Sequence, residues 1–322
     1  MEYSLCGQSG LLLPRISLGL WHNFGSVDSF DNARDMVLHA FDKGIVHFDL
    51  ANNYGPEPGS AEQNFGKILN GDLRAHRDEI LIASKAGHRM WPGPYGDGSS
   101  RKNLMASIDQ SLRRTGLEYF DIFYSHRYDG VTPIEETMQA LVDIVRQGKA
   151  LYVGISKYPT DKQQQCYDYL RSQGVPCLVS QYRHSMFDRI SEPNLAVAQQ
   201  NGSGVVCFSP LAQGLLTGKY LNGVPHDSRA AKATGFLRMD QVTQQRIDAA
   251  AKLTKIAEAR SQTLPQMALA WLLVKQPVTS VIIGASSTHQ IDDNIQALDN
   301  IEFSAAELNA INEILAPIPD HL

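Results

Sequence analysis

Eight short apolar runs, rich in β-branched and aromatic residues, alternate with longer amphipathic segments along this chain of 322 residues. The longer segments, such as 31–44 and 133–150, repeat apolar residues every three or four positions. This order predicts βα units around a parallel sheet, and eight such units can close into a (β/α)8 barrel. The eight runs occupy 15–20, 47–51, 79–86, 119–126, 151–156, 176–181, 204–211 and 278–286.

The competing architecture is an open, doubly wound sheet, which would require a Gly-rich phosphate-binding turn after an early strand. The sequence contains no GxGxxG motif. We therefore favour an α/β fold of the (β/α)8 TIM-barrel type, formed by residues 1–322 as a single domain. Residues 3–14, with glycines at their centre, predict an N-terminal β-hairpin that caps the barrel. An extra helix is expected at the C-terminal end.

Composition and charge narrow the classes of partner. The formal net charge is −5 with scattered lysines and arginines, so there is no basic stripe for nucleic acid or an anionic membrane. The four cysteines form no CxxC pair, and the ten histidines form no HExxH motif. The N-terminus lacks the features of a signal peptide, and the longest apolar run, 268–274, is too short to cross a bilayer. These features predict a cytoplasmic protein with free thiols and no metal.

Polar side chains follow five consecutive predicted strands at their carboxyl ends, where the active sites of such barrels lie. A carboxylate such as Asp49 is costly to bury unless it is paired, and Lys85 on the neighbouring strand is the expected partner. The cation would also stabilise the phenolate of Tyr54 and make that tyrosine a better acid. The polar residues at this rim are Asp49, Ser84, Lys85, His126, Arg127, Ser156, Lys157 and Gln181.

His126 is expected to donate a hydrogen bond to a substrate carbonyl whose oxygen also meets Tyr54. Such a site polarises a carbonyl and protonates the alkoxide, but no side chain supplies a hydride, so a cofactor must. Taken singly, these residues also have structural explanations: a salt bridge for Asp49 and Lys85, a core histidine and a surface phenol. Their coincidence at one rim favours the catalytic interpretation.

Three short motifs connect these residues to a known family. FDLANNYG (48–55), ASKAG (83–87) and YSHR (124–127) resemble the segments that carry the Asp, Tyr, Lys and His tetrad of the aldo-keto reductases. That family uses a nicotinamide cofactor on a (β/α)8 barrel, and the likeness covers nearly the whole chain. Longer stretches, including LGLWHNFG (18–25) and SPLAQGLLTGKYLNG (209–223), are similar to the branch of bacterial L-glyceraldehyde 3-phosphate reductases and potassium channel β subunits.

The resemblance implies a reductase of small aldehydes and ketones, such as glyceraldehyde 3-phosphate or methylglyoxal. Hydride would pass from NADPH to the carbonyl carbon, with Tyr54 as general acid, Lys85 and Asp49 tuning it, and His126 orienting the carbonyl. Ring-like tetramers or octamers are also implied. Two alternatives stay open: a regulatory subunit that binds the cofactor with little turnover, and a lyase that forms a Schiff base on Lys85.

The resemblance also assigns a cofactor site along the chain. The nicotinamide half would contact Trp21, Asp49, Ser156, Lys157 and Gln181, with Phe208 stacking on the ring. The pyrophosphate would lie against Ser209, Pro210, Leu211, Ala212 and Gly214, with Lys219 and Arg229 nearby, and the adenosine end against Gly284, Ser286, Gln290, Asp293 and Asn294.

This chain departs from its relatives at both ends of that site. Relatives commonly have Arg where this chain has Ser287, and His289 follows two positions later in this chain. Arg would pair bidentately with a 2′-phosphate, whereas Ser offers one neutral hydrogen bond. NADP(H) remains the prediction, with NAD(H) left open. His88 and His184 stand where relatives tend to show tyrosine. The predicted substrate pocket comprises Trp21, Trp91, Tyr95, His126 and Arg127, with Arg101 as a second candidate for a substrate phosphate.

Overall fold

The computed structural model describes residues 1–221, 237, 239–275 and 277–321. All eight predicted barrel strands are present, as is the predicted hairpin, which is formed by β1 (Tyr3–Leu5) and β2 (Leu12–Pro14). The barrel strands are β3 (Ile16–Gly19), β4 (His47–Asp49), β5 (Leu81–Ala86), β6 (Phe120–Ser125), β7 (Ala150–Ser156), β8 (Val179–Arg183), β9 (Gly204–Phe208) and β10 (Val278–Ile283).

The barrel strands are parallel throughout and follow one another in sequence order, from β3 to β10, with β10 pairing back onto β3. Helices connect successive strands on the outside, as the alternating pattern predicts. The connecting helices are α1 (Phe30–Asp42), α2 (Ser60–Gly71), α3 (Arg101–Thr115), α4 (Ile134–Arg146), α5 (Thr160–Ser172), α6 (Glu192–Gln200), α7 (Gln244–Ala259) and α8 (Leu264–Leu273). Two more helices, α9 (Thr288–Ile295) and α10 (Ala305–Leu315), follow the last strand, β10.

Short 3-10 helices add to this pattern at Arg74–Glu79, Ala212–Thr217, Met239–Gln241 and Gln296–Asn300. Helix α10 is the predicted extra helix, and it packs on α7, which together with α8 lies between β9 and β10. Local sequence fixes several helix starts: Ser29 caps α1, and Thr263 with Gln266 forms a capping box at α8.

The core has two layers. The larger one lies between the strands and the surrounding helices, and the smaller one fills the barrel interior with residues such as Tyr124 and Ile122. Cys6 and Leu13 of the hairpin region belong to the interior layer. The backbone of Gln8 bonds that of Gly202, just before β9 begins, so the hairpin covers the amino-terminal end of the barrel. The carboxyl ends of the strands, at the opposite end, remain for the site.

Strand β4 ends two residues earlier than the run 47–51 predicts. The Leu50 carbonyl accepts a hydrogen bond from the Lys85 ammonium at 2.6 Å. The backbone N–H groups of Leu50 and Asn52 still donate to the Ala83 and Lys85 carbonyls of β5, at 2.8 Å and 2.9 Å, so the segment stays bonded to β5 as far as Asn52 before it reaches Tyr54.

Candidate active site

A fully buried ion pair lies at the carboxyl ends of β4 and β5. The Lys85 ammonium donates to Asp49 Oδ2 at 2.6 Å, and the two side chains are 0% and 3% exposed. Gln181, in the middle of β8, donates from Nε2 to the other carboxylate oxygen of Asp49 at 2.9 Å. Both oxygens of the carboxylate are therefore hydrogen-bonded, which offsets the cost of removing it from water.

The phenol of Tyr54 completes the first part of the site. Its Oη lies 3.4 Å from Lys85 Nζ. Burial raises the pKa of Tyr54 well above that of a free phenol, and the negative charge of Asp49 adds to this rise. The stabilisation of the phenolate by Lys85 stays a prediction. The phenol is protonated at neutral pH and carries a proton that it can donate.

His126, directly after β6, faces the same space. The rings of Tyr54 and His126 meet edge to face with centroids 6.0 Å apart. Burial, and then the positive charges of Lys157 and Lys85, lower the pKa of His126 well below its usual value. The imidazole is therefore neutral. Among the described residues, no hydrogen-bond partner reaches its buried Nδ1.

Aromatic and basic side chains surround this centre. The Trp21 ring lies roughly parallel to that of Tyr54 at 6.1 Å, and the Lys157 ammonium lies 5.9 Å from the Phe208 ring centroid. His88 departs from the residue that relatives tend to show, but it was not among the predicted site residues. Its ring meets His126 edge to face at 4.5 Å, and its position three residues beyond Lys85 was the available signal.

Ser156 and Gln181 are register partners on β7 and β8. Ser156 is completely buried, and its hydroxyl has no hydrogen-bond partner within the described part of the chain. A free hydroxyl beside an amide that Asp49 holds in place suits the carboxamide of a nicotinamide ring. These two residues thus fit the cofactor that the family likeness implies.

The loop after β9 has an unusual backbone. Ser209, Ala212 and Gln213 have φ of 54°, 50° and 57°, and Gly214 has φ of 103°. Side-chain-bearing residues seldom adopt such left-handed conformations, and runs that include them can form concave sets of N–H groups that bind anions. This loop fits a pyrophosphate. Pro210 and Leu211 lie within it, Lys219 follows it and is exposed, and Arg229 lies outside the described residues.

The predicted adenosine end lies where β10 leads into α9. The Ser287 hydroxyl caps α9 by accepting from the Gln290 backbone N–H, and Gln290 Oε1 accepts from the Ser286 backbone N–H at 2.9 Å. His289 pairs with Asp293 at 3.6 Å. Ser287 and His289 thus already have partners within the helix. Of the remaining predicted contacts, Gly284 is exposed and Asn294 is buried.

The predicted substrate residues have mixed positions. Arg127 lies beside the site but pairs with Asp97 at 2.7 Å, whereas Arg101 pairs with Asp143 on α4. Trp91 is half-buried. Tyr95 is 56% exposed with its ring 5.2 Å from the Lys102 ammonium, and neither ring contacts the tetrad among the described residues.

Two further expectations need correction. His184 is completely buried, its ring centroid lies 5.8 Å from that of Trp271, and burial lowers its pKa to about 4. It is a core residue outside the pocket. Ser84 points to the helix layer because side chains alternate along a strand and Lys85 points inward.

Ser84 belongs to a second buried charge network that sequence reasoning did not find. Its hydroxyl donates to Glu62 Oε1 on α2 at 2.6 Å, and Arg114 on α3 donates to Glu62 Oε2 at 2.6 Å. Glu62 is completely buried. An acid on the apolar face of an amphipathic helix was the available signal. The network joins α2 and α3 to the strand that carries Lys85.

Within the described residues, no group of three or more His, Cys, Asp or Glu side chains is placed to hold a metal ion. Over the same part of the chain, every helix is too short or too polar to cross a membrane.

Comparison with known proteins is consistent with this geometry. A family model described as "Aldo/keto reductase family" matches residues 15–316. The chain is 52% identical over 321 residues to "L-glyceraldehyde 3-phosphate reductase" of Escherichia coli (strain K12), which covers 98% of this chain and 93% of the relative. It is 33% identical over 327 residues to "Probable voltage-gated potassium channel subunit beta" of Arabidopsis thaliana, which covers 99% of this chain and 98% of the relative.

Proposed function

The chain belongs to the aldo/keto reductase family, and on that premise we propose that it reduces small aldehydes and ketones with NADPH, with Tyr54 as the general acid. Glyceraldehyde 3-phosphate and methylglyoxal are the substrates we propose first. The observation that carries the proposal is the contact of the buried ion pair Lys85–Asp49 with Tyr54, opposite a neutral His126.

Each side chain has a separate task in this proposal. His126, as a neutral imidazole, donates a hydrogen bond to the carbonyl oxygen and orients it. Tyr54 gives its proton to the same oxygen as negative charge develops there. Lys85, 3.4 Å from Tyr54 Oη, then stabilises the phenolate that remains. Asp49 keeps the ammonium charged in its buried position. When bound, the nicotinamide supplies the hydride.

The residues that would hold the cofactor lie in three groups along the barrel rim. Gln181, Ser156 and Trp21 are next to Asp49 and Tyr54, as the nicotinamide half requires. The left-handed loop from Ser209 to Gly214 is the proposed pyrophosphate site. Gly284, Ser286, Gln290, Asp293 and Asn294 are the proposed adenosine contacts, and Phe208 and Lys157 border the nicotinamide pocket.

Replacing Tyr54 with Phe tests the assignment of the acid. We expect the variant to lose turnover by about 100-fold to 10,000-fold, the share that general acid catalysis usually supplies. NADPH binding, measured by quenching of protein fluorescence, should hardly change. Tyr152→Phe is the matched control, since it removes the same atom from β7 outside the site. Equal turnover in the Tyr54 and Tyr152 variants would show that another group donates the proton.

A second candidate is a subunit that binds the cofactor and regulates a partner. The relatives named as potassium channel β subunits favour it, at 33% and 32% identity over nearly the whole chain. Tight cofactor binding without turnover on any carbonyl would support this role. The Schiff-base alternative is less well supported, because Lys85 Nζ would first have to give up both of its 2.6 Å contacts.

We also propose that the protein acts in the cytoplasm, since its four cysteines are all free and buried. Assembly into tetramers or octamers stays a prediction from resemblance alone.

A further inference from the structure

The cations at the mouth of the site differ in their partners. Lys85, Arg127 and Arg183 each pair with a carboxylate, that of Asp49, Asp97 and Asp188 respectively. Lys157 does not. Its ammonium contacts the imidazole of His88 at 3.1 Å, and no carboxylate lies within ion-pair distance among the described residues.

The surroundings of this ammonium are positive. Loss of water, and then the charges of Lys85, Arg183 and Arg127, lower the pKa of Lys157 to about 8. Lys157 therefore carries a charge at neutral pH that its protein neighbours oppose. An anion bound at this point would relieve the repulsion.

The backbone holds Lys157 in this place. Its φ of 57° is left-handed, which is uncommon for a residue with a side chain, and its N–H donates to the Gln181 carbonyl at 3.2 Å. Although the residue is exposed overall, its ammonium packs inward over the Phe208 ring and against His88. The conformation thus directs the ammonium toward the proposed substrate space.

His88 connects Lys157 to the reacting centre. Burial, followed by the charge of Lys157, lowers the pKa of His88 to about 4, so the ring is neutral and its Nε2 can accept from the ammonium. The same ring meets His126 edge to face at 4.5 Å. Lys157 is therefore one imidazole ring away from the residue proposed to orient the carbonyl.

We infer that Lys157, held by His88, binds an anionic group of the substrate, a phosphate or a carboxylate carried a few atoms from the carbonyl. The inference rests on the proposed function for the position of that carbonyl. Lys157 takes this role in place of Arg127 and Arg101, because both of those arginines already form ion pairs with carboxylates. The placement of Lys157 beside the nicotinamide rests on resemblance alone. That placement suits the backbone of Lys157, which is next to Ser156, and leaves its ammonium for the substrate.

Lys157→Gln tests the inference, with Lys157→Arg to restore the charge and Lys255→Gln on α7 as a matched surface control. For each protein, kcat/KM is measured with glyceraldehyde 3-phosphate and with glyceraldehyde. We expect Lys157→Gln to lower the ratio of the two values by about 10-fold to 100-fold, the range for one charge-assisted hydrogen bond. Lys157→Arg should recover most of the ratio, and Lys255→Gln should leave it unchanged.

A binding measurement makes the outcome independent of turnover. Glycerol 3-phosphate is titrated into the protein loaded with NADP+ by calorimetry, and NADP+ binding is measured separately. We expect Lys157→Gln to weaken glycerol 3-phosphate binding by about 10-fold or more, the effect of a lost charge-assisted bond, and to weaken NADP+ binding by a smaller factor, since only the substrate anion is proposed to meet the ammonium. If binding depends on Lys157 while no carbonyl is reduced, the anion site stands and the proposed function fails.

Three results would overturn the inference. The first is an unchanged substrate ratio in Lys157→Gln, and the second is no binding of glycerol 3-phosphate by the parent protein. The third is a loss of NADP+ affinity with the substrate ratio intact, which would assign the ammonium to a cofactor phosphate.

Discussion

The buried pair of Asp49 and Lys85 makes a quantitative prediction about stability. Asp49→Asn keeps the shape of the side chain and removes its charge, which leaves the Lys85 ammonium completely buried with only neutral acceptors. Breaking a buried ion pair from one side costs about 3–5 kcal/mol of the free energy of unfolding. The loss has an upper limit, because the folded variant can release the proton of Lys85 instead of burying the charge. Removing that proton at pH 7, about 3.4 units below an ordinary lysine pKa, costs about 4.6 kcal/mol.

This limit gives the loss a pH dependence with a definite sign. Burial already lowers the pKa of Lys85, and Asp49 opposes that effect, so Asn at position 49 lets the folded-state pKa fall further. Between the lowered folded-state pKa and the unfolded value of about 10.4, the unfolded chain binds more protons than the folded variant, so the stability of the variant rises with pH in that window. The deficit relative to the parent protein should therefore shrink as pH rises from 7 to 9, by at most about 1.4 kcal/mol per unit.

Urea unfolding of the parent protein and the variant, followed by circular dichroism, measures both quantities. Asp109→Asn is the matched control, because Lys149 and Asp109 form a pair at a similar distance, 2.7 Å, on the exposed surface. That control should lose less than about 1 kcal/mol. A loss of that small size in Asp49→Asn, or a deficit that stays constant with pH, would refute the argument that Lys85 depends on Asp49 for its charge.

Three further predictions follow from the same structure. The preference for glyceraldehyde 3-phosphate over glyceraldehyde should fall as pH rises through about 8, because Lys157 loses its proton there under the influence of the positive charges of Lys85, Arg183 and Arg127. A pH profile of the two kcat/KM values checks this. Ser287→Arg should strengthen NADPH binding relative to NADH by about 10-fold or more in fluorescence titrations. Glu62→Ala should lower the free energy of unfolding by about 3 kcal/mol in urea, since it strands Arg114.

The barrel was predictable because its evidence is repeated eight times along the chain. A period of two in short runs and of three to four in long ones depends only on local sequence. The positions of Asp49, Lys85 and His126 at one rim followed, since the carboxyl ends of parallel strands meet there. Successive side chains along a strand point to opposite faces, so the sequence should also have predicted that Ser84 points away from the site.

Pairings between distant loops were not predictable in the same way. Nothing near Arg127 in sequence indicates that Asp97, from a long loop, neutralises it, or that Lys157 has only an imidazole beside it. The pKa of Tyr54 depends on how completely the folded chain removes water from the phenol, so its direction emerged only from the structure. Such features arise from tertiary packing, which the local sequence pattern does not record.

The consumption of reduced nicotinamide tests the central claim most directly. The purified protein is mixed with NADPH, and separately with NADH, against carbonyls that include phosphorylated and unphosphorylated three-carbon aldehydes, and the alcohol formed is counted. The account predicts one alcohol per NADPH oxidised, with the phosphorylated aldehyde favoured. Measurable binding of both cofactors, with no alcohol from any carbonyl, would contradict it and would indicate a regulatory subunit.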